Sequence, residues 1–201
     1  MEVILSIDDN NFYKKIKKVK DKEIIIILKQ NDKIIDLDIS DYFDDIDSKW
    51  KIHSVIASNI KNIEKRYNYI YDTVCDYLDK EFQEKNICQF RNNKCIGVTD
   101  GYHCKESING CCFGRKRGLC KHFNNGKCNI KSISCKLFTC RYLKKNKIKY
   151  NSENIPLLKY FFNKRQKTII EDSIFIDKEE IINMLLNKQK NRKYEYVYKR
   201  K

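Results

Sequence analysis

The chain has 201 residues, of which 41% are hydrophobic and 12% aromatic, and it carries a formal net charge of +15. The apolar residues suffice for a core, which argues against wholesale disorder, and the length suits one domain or a small domain with a stapled insert. The first residues lack the basic segment of a secretory signal, and no apolar run reaches the ~18 residues that a spanning helix needs. We therefore expect a cytoplasmic protein that does not associate with a membrane.

The positive charge is concentrated in the second half of the chain. Residues 1–85 contain 15 Lys or Arg against 18 Asp or Glu, residues 86–140 contain 10 against 2, and residues 141–201 contain 17 against 7. A basic half is typical of proteins with an anionic partner such as nucleic acid. Metal centres held by thiolates are also anionic, however, and nearby cations would compensate their charge. We favour charge compensation and solubility over nucleic-acid binding as the reason for the basic half.

The start of the chain predicts a small β-sheet. Residues 3–7 have the apolar character of a short strand, and residues 23–28 and 34–38 predict two further strands joined by a tight turn. Between the first two, Phe12 and Ile16 recur at helical spacing among lysines, which predicts a short amphipathic helix or an exposed turn.

A long amphipathic helix is predicted over residues 52–82. Its apolar residues recur in steps of three and four: Ile52, Ile56, Ile60, Ile63, Tyr67, Ile70, Val74 and Leu78. Cys75 adjoins this stripe and lies far from the other cysteines, so we interpret it as a part-buried structural thiol rather than a ligand. His53 has no cysteine or carboxylate at a partner spacing, and we interpret it as an ordinary surface or packing residue.

The chain after Cys140 is predicted to be helical. Asn154 and Pro156 mark the start of one helix. Asp177 is predicted to cap a second helix over residues 178–187, with Glu180 completing a variant of the capping box. Residues 188–201 fit a last strand, a frayed tail or an anion-binding strip.

These elements predict an α+β fold with a small N-terminal β-sheet, a long central amphipathic helix and C-terminal helices. A loop-rich cysteine-cluster insert, stapled by metal, would interrupt this core. The corresponding regions are an N-terminal α+β region at 1–86, a cysteine-rich metal-binding region at 87–141 and a basic C-terminal helical region at 142–201.

Nine of the ten cysteines lie between residues 88 and 140, a density that packing alone would not use. All nine are candidate metal ligands: Cys88, Cys95, Cys104, Cys111, Cys112, Cys120, Cys128, Cys135 and Cys140. The six glycines lie in the same stretch, as expected for a loop-rich segment that wraps around its ligands. Because thiols stay reduced in the cytosol, the pattern predicts Zn²⁺ or an iron–sulfur cluster rather than disulfides or redox-active thiols. His103 and His122 are further candidate ligands.

The spacing of the cysteines limits the kind of metal site. No Cys-x2-Cys pair occurs, which argues against the common zinc ribbons, ferredoxin-type clusters and a thioredoxin-like dithiol. Adjacent Cys111 and Cys112 cannot both face one small ion comfortably, because successive side chains diverge. They would serve two neighbouring sites, or one would bind the metal while the other supports it.

The segment from Cys104 to Cys140 contains the pair Cys111-Cys112, followed by Cys120 and by Gly126-Lys127-Cys128-Asn129-Ile130. In these features it resembles the YkgJ-type cysteine-cluster family, whose members are described as zinc- or iron-chelating proteins. This chain has Cys-x6-Cys-Cys where the family has Cys-x2-Cys-Gly-x-Cys-Cys, and it lacks the family's Arg-Pro before the late cysteine. The resemblance covers about 40 of the 201 residues and implies a metal site.

The sequence leaves open whether the protein is an enzyme. No glycine-rich phosphate loop, nucleophile elbow, His-Glu-x-x-His motif or pair of catalytic carboxylates stands out. An enzyme would therefore have to work through its metal. An iron–sulfur redox or radical enzyme, or an accessory protein, is one alternative to a metal-binding protein of unassigned role.

The other alternative is a nucleic-acid-binding protein with a metal-stapled basic module. Its candidate phosphate contacts are Arg115, Lys116 and Arg117, which would be presented on a turn between Gly114 and Gly118. A secondary strip combines lysines with tyrosines that would stack on unpaired bases: Lys144, Lys145, Lys147, Lys149, Tyr142 and Tyr150. The sequence identifies no protein partner.

Overall fold

The computed structural model describes residues 1–37, 45–92, 94–101, 112–114, 118–124 and 127–187. It has the α+β fold that the sequence predicts, with a small N-terminal sheet followed mainly by helices. No helix in these ranges is long and apolar enough to cross a membrane. The alternatives predicted for residues 188–201 lie outside the described residues.

The sheet has three strands in the order β1 (Glu2–Ser6), β2 (Ile25–Gln30) and β3 (Lys33–Ile34). β1 and β2 are parallel, and the chain crosses between them through the helix α1 (Phe12–Val19). β2 and β3 form an antiparallel hairpin, in which Asn31 and Asp32 both have positive φ, a conformation that these residue types tolerate. The structure confirms the predicted sheet and shows a helix, rather than an exposed turn, between its first two strands.

The predicted long helix consists of two helices, α2 (Ile46–Asn59) and α3 (Ile63–Lys85). α3 is the long central helix, and its predicted start at residue 52 is wrong. The break occurs because the side chain of Asn62 accepts a hydrogen bond from the backbone N–H of Lys65 at 2.9 Å and so begins a new helix. Arg66 Nε also donates to the carbonyl of Ile60 at 3.0 Å. Ile63, which the periodicity placed on the buried stripe, is 43% exposed.

One face of the sheet packs against the helices. Ile26 and Leu28 are buried, whereas Ile4 and Ile25 are largely exposed, the alternation expected when one face covers a core. Asn59, the last residue of α2, exchanges two hydrogen bonds of 2.9 Å with the backbone of Ile26. This side chain therefore continues the hydrogen bonding of β2 and attaches the helices to the sheet.

The remaining elements are short: α4 (Ile96–Thr99), β4 (Phe113–Gly114), β5 (Gly118–Leu119), β6 (Phe123–Asn124), β7 (Lys127–Cys128), α5 (Ile133–Leu137), α6 (Arg141–Lys145), a 3₁₀ turn (Ser152–Asn154), α7 (Pro156–Phe161), α8 (Lys164–Asp172) and α9 (Lys178–Leu186). α7 and α9 confirm the predicted C-terminal helices. Asp177 occupies the N-cap position of α9, but its side chain makes no capping hydrogen bond, so the predicted capping box does not form. α8 is an additional helix, which begins with a capping box between Asn163 and Gln166.

The end of the cysteine-rich region belongs to the main hydrophobic core. Ile133 and Leu137 of α5 are buried in the same cluster as residues of the sheet and of α3. The hydroxyl of Ser134 donates to the carbonyl of Ile170 in α8. α5 is thus held between α3 and α8 by apolar packing and by a buried hydrogen bond.

Candidate metal centre

Five of the clustered cysteines line one small cavity of about 50 Å³. They are Cys88, Cys95, Cys112, Cys135 and Cys140. Most of the other lining residues are apolar or aromatic: Phe82, Phe90, Ile96, Gly97, Phe138, Tyr142 and Leu143. The fold therefore brings cysteines from both ends of the cysteine-rich region to a common, largely apolar space.

The first two cysteines are positioned by the turn that follows α3. The helix ends at Asn86, which has a φ of 38° and so turns the chain away from the helix axis. Two backbone hydrogen bonds of 2.9 Å join residues 91 and 94, and the N–H of Ile96 donates to the carbonyl of Cys88 at 2.9 Å. Cys88 and Cys95 consequently flank a small hairpin-like turn, with Cys95 at the N-cap position of α4.

Two short hairpins hold the next described cysteines. In the hairpin of β4 and β5, the N–H of Cys120 donates to the carbonyl of Cys112 at 2.6 Å, so both cysteines lie at its open end. In the hairpin of β6 and β7, Cys128 pairs with Phe123. The ring of Phe123 lies 4.2 Å, centre to centre, from that of Phe90, which packs this hairpin against the turn after α3.

The last two cysteines lie on short helices. Ser132 caps α5, and its hydroxyl accepts a hydrogen bond from the N–H of Cys135 at 3.4 Å. Cys140 occupies the N-cap position of α6. Gly97 of α4 lies against Tyr142 of α6, since a Cβ atom placed on Gly97 would be 3.4 Å from the ring, an ordinary contact distance. This approach brings Cys95 and Cys140 to the same cavity.

Cys135 also lies close to two cysteines that do not line the cavity, Cys120 and Cys128. Burial raises the pKa of the thiols of Cys135 and Cys128. Neighbouring thiolate charge adds to both shifts, because Cys120 acts on Cys135 and Cys135 acts on Cys128. A cation bound between these sulfurs would offset the repulsion and stabilise the thiolate forms.

Several nearby groups favour the thiolate forms of these two residues and oppose the effect of burial. The backbone N–H of Ile130 donates to the sulfur of Cys128, and that of Phe175 donates to the sulfur of Cys135. The positive charge of Lys136 lowers the pKa of both thiols. Such donors around a sulfur are the surroundings in which metal-bound thiolates are stabilised.

Cys75 is separate from the cysteine cluster. It is fully buried on α3, and burial raises its pKa to about 12. This placement agrees with its interpretation as a structural thiol. His53 has a packing role, since its Nδ1 lies 2.7 Å from the hydroxyl of Tyr69 and its ring lies beside Trp50.

The structure accounts for part of the predicted ligand set. Cys104, Cys111 and His103 lie outside the described residues, and His122 is partly buried just before β6. No disulfide joins any two of the eight cysteines that the structure describes. Within the same ranges, no three His, Cys, Asp or Glu side chains converge closely enough to hold a metal ion. The ligand set and the metal therefore stay predictions.

The sequence did not indicate the aromatic walls of the cavity or the place of Lys136. A signal was present for α5, because Ser132 three residues before Cys135 has the form of a helix N-cap. The walls depend on contacts between distant segments, such as Phe82 of α3 and Leu143 of α6, for which the sequence carries no local pattern.

Comparison with known proteins adds no further identification. No protein-family model, curated protein or solved structure matches this chain.

Proposed function

We propose that this protein binds Zn²⁺ or an iron–sulfur cluster through its cysteine cluster. The supporting observation is the cavity lined by five cysteines, which come from the turn after α3, the first short hairpin, α5 and α6. Thiolates are soft ligands that select zinc and iron–sulfur clusters over cations that prefer oxygen. Packing alone does not require five thiols around one small cavity, and four of them would be enough to ligate a zinc ion or a cluster.

The proposed ligands are the nine clustered cysteines, arranged as two adjoining groups. The first group is the set that lines the cavity. The second contains Cys120 and Cys128, with Cys135 lying between the two groups. Cys104 and Cys111 complete the set from sequence alone.

The role of the site depends on which metal it holds. A zinc ion with four cysteine ligands would have no open position for a substrate, and it would stabilise the loops because metal binding contributes to folding. An iron–sulfur cluster would supply one-electron chemistry, which would make the protein a redox or radical enzyme or an accessory protein. We propose a cytoplasmic location, in which the ligand thiols remain reduced.

Anaerobic purification followed by metal analysis tests this proposal. Absorbance near 400 nm with stoichiometric iron would identify a cluster, and colourless protein with stoichiometric zinc would identify a zinc site. Replacement of Cys135 by Ser should lower the metal content, whereas replacement of Cys75 by Ser should leave the metal content of the folded protein unchanged. Protein without either metal, with all nine clustered thiols open to titration, would contradict the proposal.

Nucleic-acid binding is a second candidate, supported by one observation. Lys144, Lys145, Lys147 and Lys149 are all exposed on and after α6. The two tyrosines of this strip are already engaged, since Tyr142 donates its hydroxyl to Asp100 and Tyr150 packs against Phe82. Arg115, Lys116 and Arg117 lie outside the described residues.

Oligonucleotide binding measured at increasing salt tests this candidate. If binding depends on several phosphate contacts, the affinity should fall by orders of magnitude when the salt concentration rises from about 50 to 200 mM. Alanine at Arg115, Lys116 and Arg117 together should flatten this dependence without changing the metal content. Absence of binding at low salt, or a triple variant that binds like the wild type, would exclude this site.

A further inference from the structure

A second and larger cavity, of about 820 Å³, lies where α1, α3, α7, α8 and α9 meet. It shares no lining residue with the cysteine cavity. Its volume falls within the roughly 300–1,000 Å³ that is typical of small-molecule sites. The buried side chains of Tyr67, Phe162 and Leu185 form part of its wall.

The lining of this basic cavity is strongly positive. Seven cations contribute to it: Lys17, Lys20, Arg66, Lys159, Lys164, Arg165 and Lys167. Asp21 is the single carboxylate among the lining residues. A concave surface with this excess of one charge concentrates field lines and attracts anions.

Three of the seven cations already have carboxylate partners. Lys20 and Arg66 both contact Asp21, at 3.2 and 2.8 Å. Lys167 contacts Glu153 at 2.6 Å. These three residues therefore stabilise the walls of the cavity, and most of their charge is compensated within the protein.

The other four cations make no ion pair with any residue in the described part of the chain: Lys17, Lys159, Lys164 and Arg165. The three lysines are exposed. One N–H group of Arg165 donates to the carbonyl of Asn187 at 2.8 Å, which orients the guanidinium. This hydrogen bond occupies one of the five N–H donors of the group. These residues lie on α1, α7 and α8, so cations from three helices surround one space.

The sequence that follows this cavity does not supply the missing negative charge. Asn187 lines the cavity, and residues 188–201 after it contain seven Lys or Arg and one Glu. A ligand that is small enough for the cavity and carries several negative charges would offset this excess of cations.

We propose that the basic cavity binds a small ligand with a chain of phosphate groups. Phosphate oxygens would accept charge-assisted hydrogen bonds from Lys17, Lys159 and Lys164. Arg165, with its fork of donors, would hold one phosphate in a bidentate contact. The phosphate chain is the shared chemistry, and it can come from an inorganic polyphosphate or from a nucleotide. This site is independent of the metal proposed above.

Isothermal titration calorimetry of the full chain with inorganic tripolyphosphate and, separately, with ATP tests the proposal. Saturable binding with one ligand per chain is expected, with weaker affinity at about 200 mM than at about 50 mM salt because screening increases. Binding of both probes would show that the site recognises the phosphate chain. Binding of ATP alone would show that it recognises the nucleoside as well. Either result supports the site.

Matched lysine variants locate the binding. The double change Lys159→Ala with Lys164→Ala should weaken binding about tenfold or more, since it removes two charge-assisted contacts. Lys14→Ala with Lys18→Ala removes the same charge from exposed positions that do not line the cavity, and it should leave the affinity nearly unchanged. Lys17→Ala is a second cavity variant on another helix, which covers the case in which the double variant fails to fold.

Three results would overturn the proposal. The first is the absence of saturable binding of either probe at low salt. The second is an equal loss of affinity in the cavity and control variants, which would reflect net charge alone. The third is binding of an oligonucleotide that requires Lys159 and Lys164, without binding of tripolyphosphate or ATP. This result would assign these lysines to contacts with a nucleic-acid backbone.

Discussion

Lys136 of α5 forms a buried ion pair with Asp79 of α3, beside the cysteine cluster. The side chain of Lys136 is 3% exposed and that of Asp79 is 31% exposed. Burial raises the pKa of Cys128 and Cys135, and the charge of Lys136 opposes this effect at both thiols. One lysine therefore connects the cysteine cluster to the long central helix and favours the thiolate forms that a metal would bind.

Replacement of Lys136 by Met should lower the free energy of unfolding by about 1–3 kcal/mol. We expect a smaller loss of stability than for a fully buried ion pair, because the side chain of Asp79 keeps partial access to water. Lys80→Met is the matched control on α3, since Lys80 is 68% exposed and its contact with Glu84 is 3.8 Å long. Urea denaturation of both variants measures the difference, and the control should change by less than about 0.5 kcal/mol. Equal effects in the two variants would contradict a buried role for Lys136.

Ile133→Ala should destabilise the whole protein by about 2–4 kcal/mol, because it leaves a space in the core between α3 and α8. The measurement is thermal or urea unfolding in the presence of a chelator, so that metal binding does not contribute. Ile34→Ala is the control, since Ile34 is 68% exposed and its truncation should have little effect. If Ile133→Ala changed the metal content but left the free energy of unfolding in chelator unchanged, α5 would not be part of the main core.

Cys75 should make the protein lose stability at high pH. Burial raises its pKa from 9.0 to about 12, so the folded protein retains a proton that the unfolded chain releases. Above about pH 9 the unfolded state binds fewer protons, and the free energy of unfolding therefore falls as the pH rises towards about 12. Cys75→Ala should show a shallower fall over this window in equilibrium unfolding. Identical slopes in the variant and the wild type would exclude this contribution.

Asn62→Ala should lower the free energy of unfolding by about 1 kcal/mol, because it removes the side chain that caps α3. Asn183→Ala is a suitable control, since Asn183 is exposed within α9 and alanine is the better helix former there. Both variants are compared with the wild type by the midpoint of denaturant unfolding, with the same m value fitted to all three proteins. A neutral Asn62→Ala would mean that the break between α2 and α3 does not depend on this cap.

The sequence predicted the elements whose signals are local. Apolar residues at helical spacing indicated α1 and most of α3, and Pro156 marked the start of α7. The parallel pairing of β1 with β2 joins segments that are separated by a helix, so no local pattern specified it. The break between α2 and α3 was missed because apolar spacing continues across it, although Asn62 carried a capping signal.

The candidate site was predictable in composition but not in arrangement. The density of cysteines indicated a cross-linked region, and the expectation of a cytosolic location favoured metal over disulfides. Which cysteines meet depends on tertiary contacts, such as the approach of Gly97 to Tyr142 that brings α4 to α6. The basic cavity was not predicted either, because Lys17 and Lys164 come to line the same space only through the packing of several helices.

X-ray absorption spectroscopy on anaerobically purified protein tests the metal proposal most directly, because it reports the atoms bound to the metal. The expected result is zinc or iron with a first shell of sulfur at about 2.3 Å, together with partial loss of that shell when Cys88 or Cys140 is changed to Ser. Cys75→Ser, on the buried thiol of α3, should leave the shell intact. Protein that binds neither metal, or a first shell made only of nitrogen and oxygen, would contradict a cysteine-ligated metal centre.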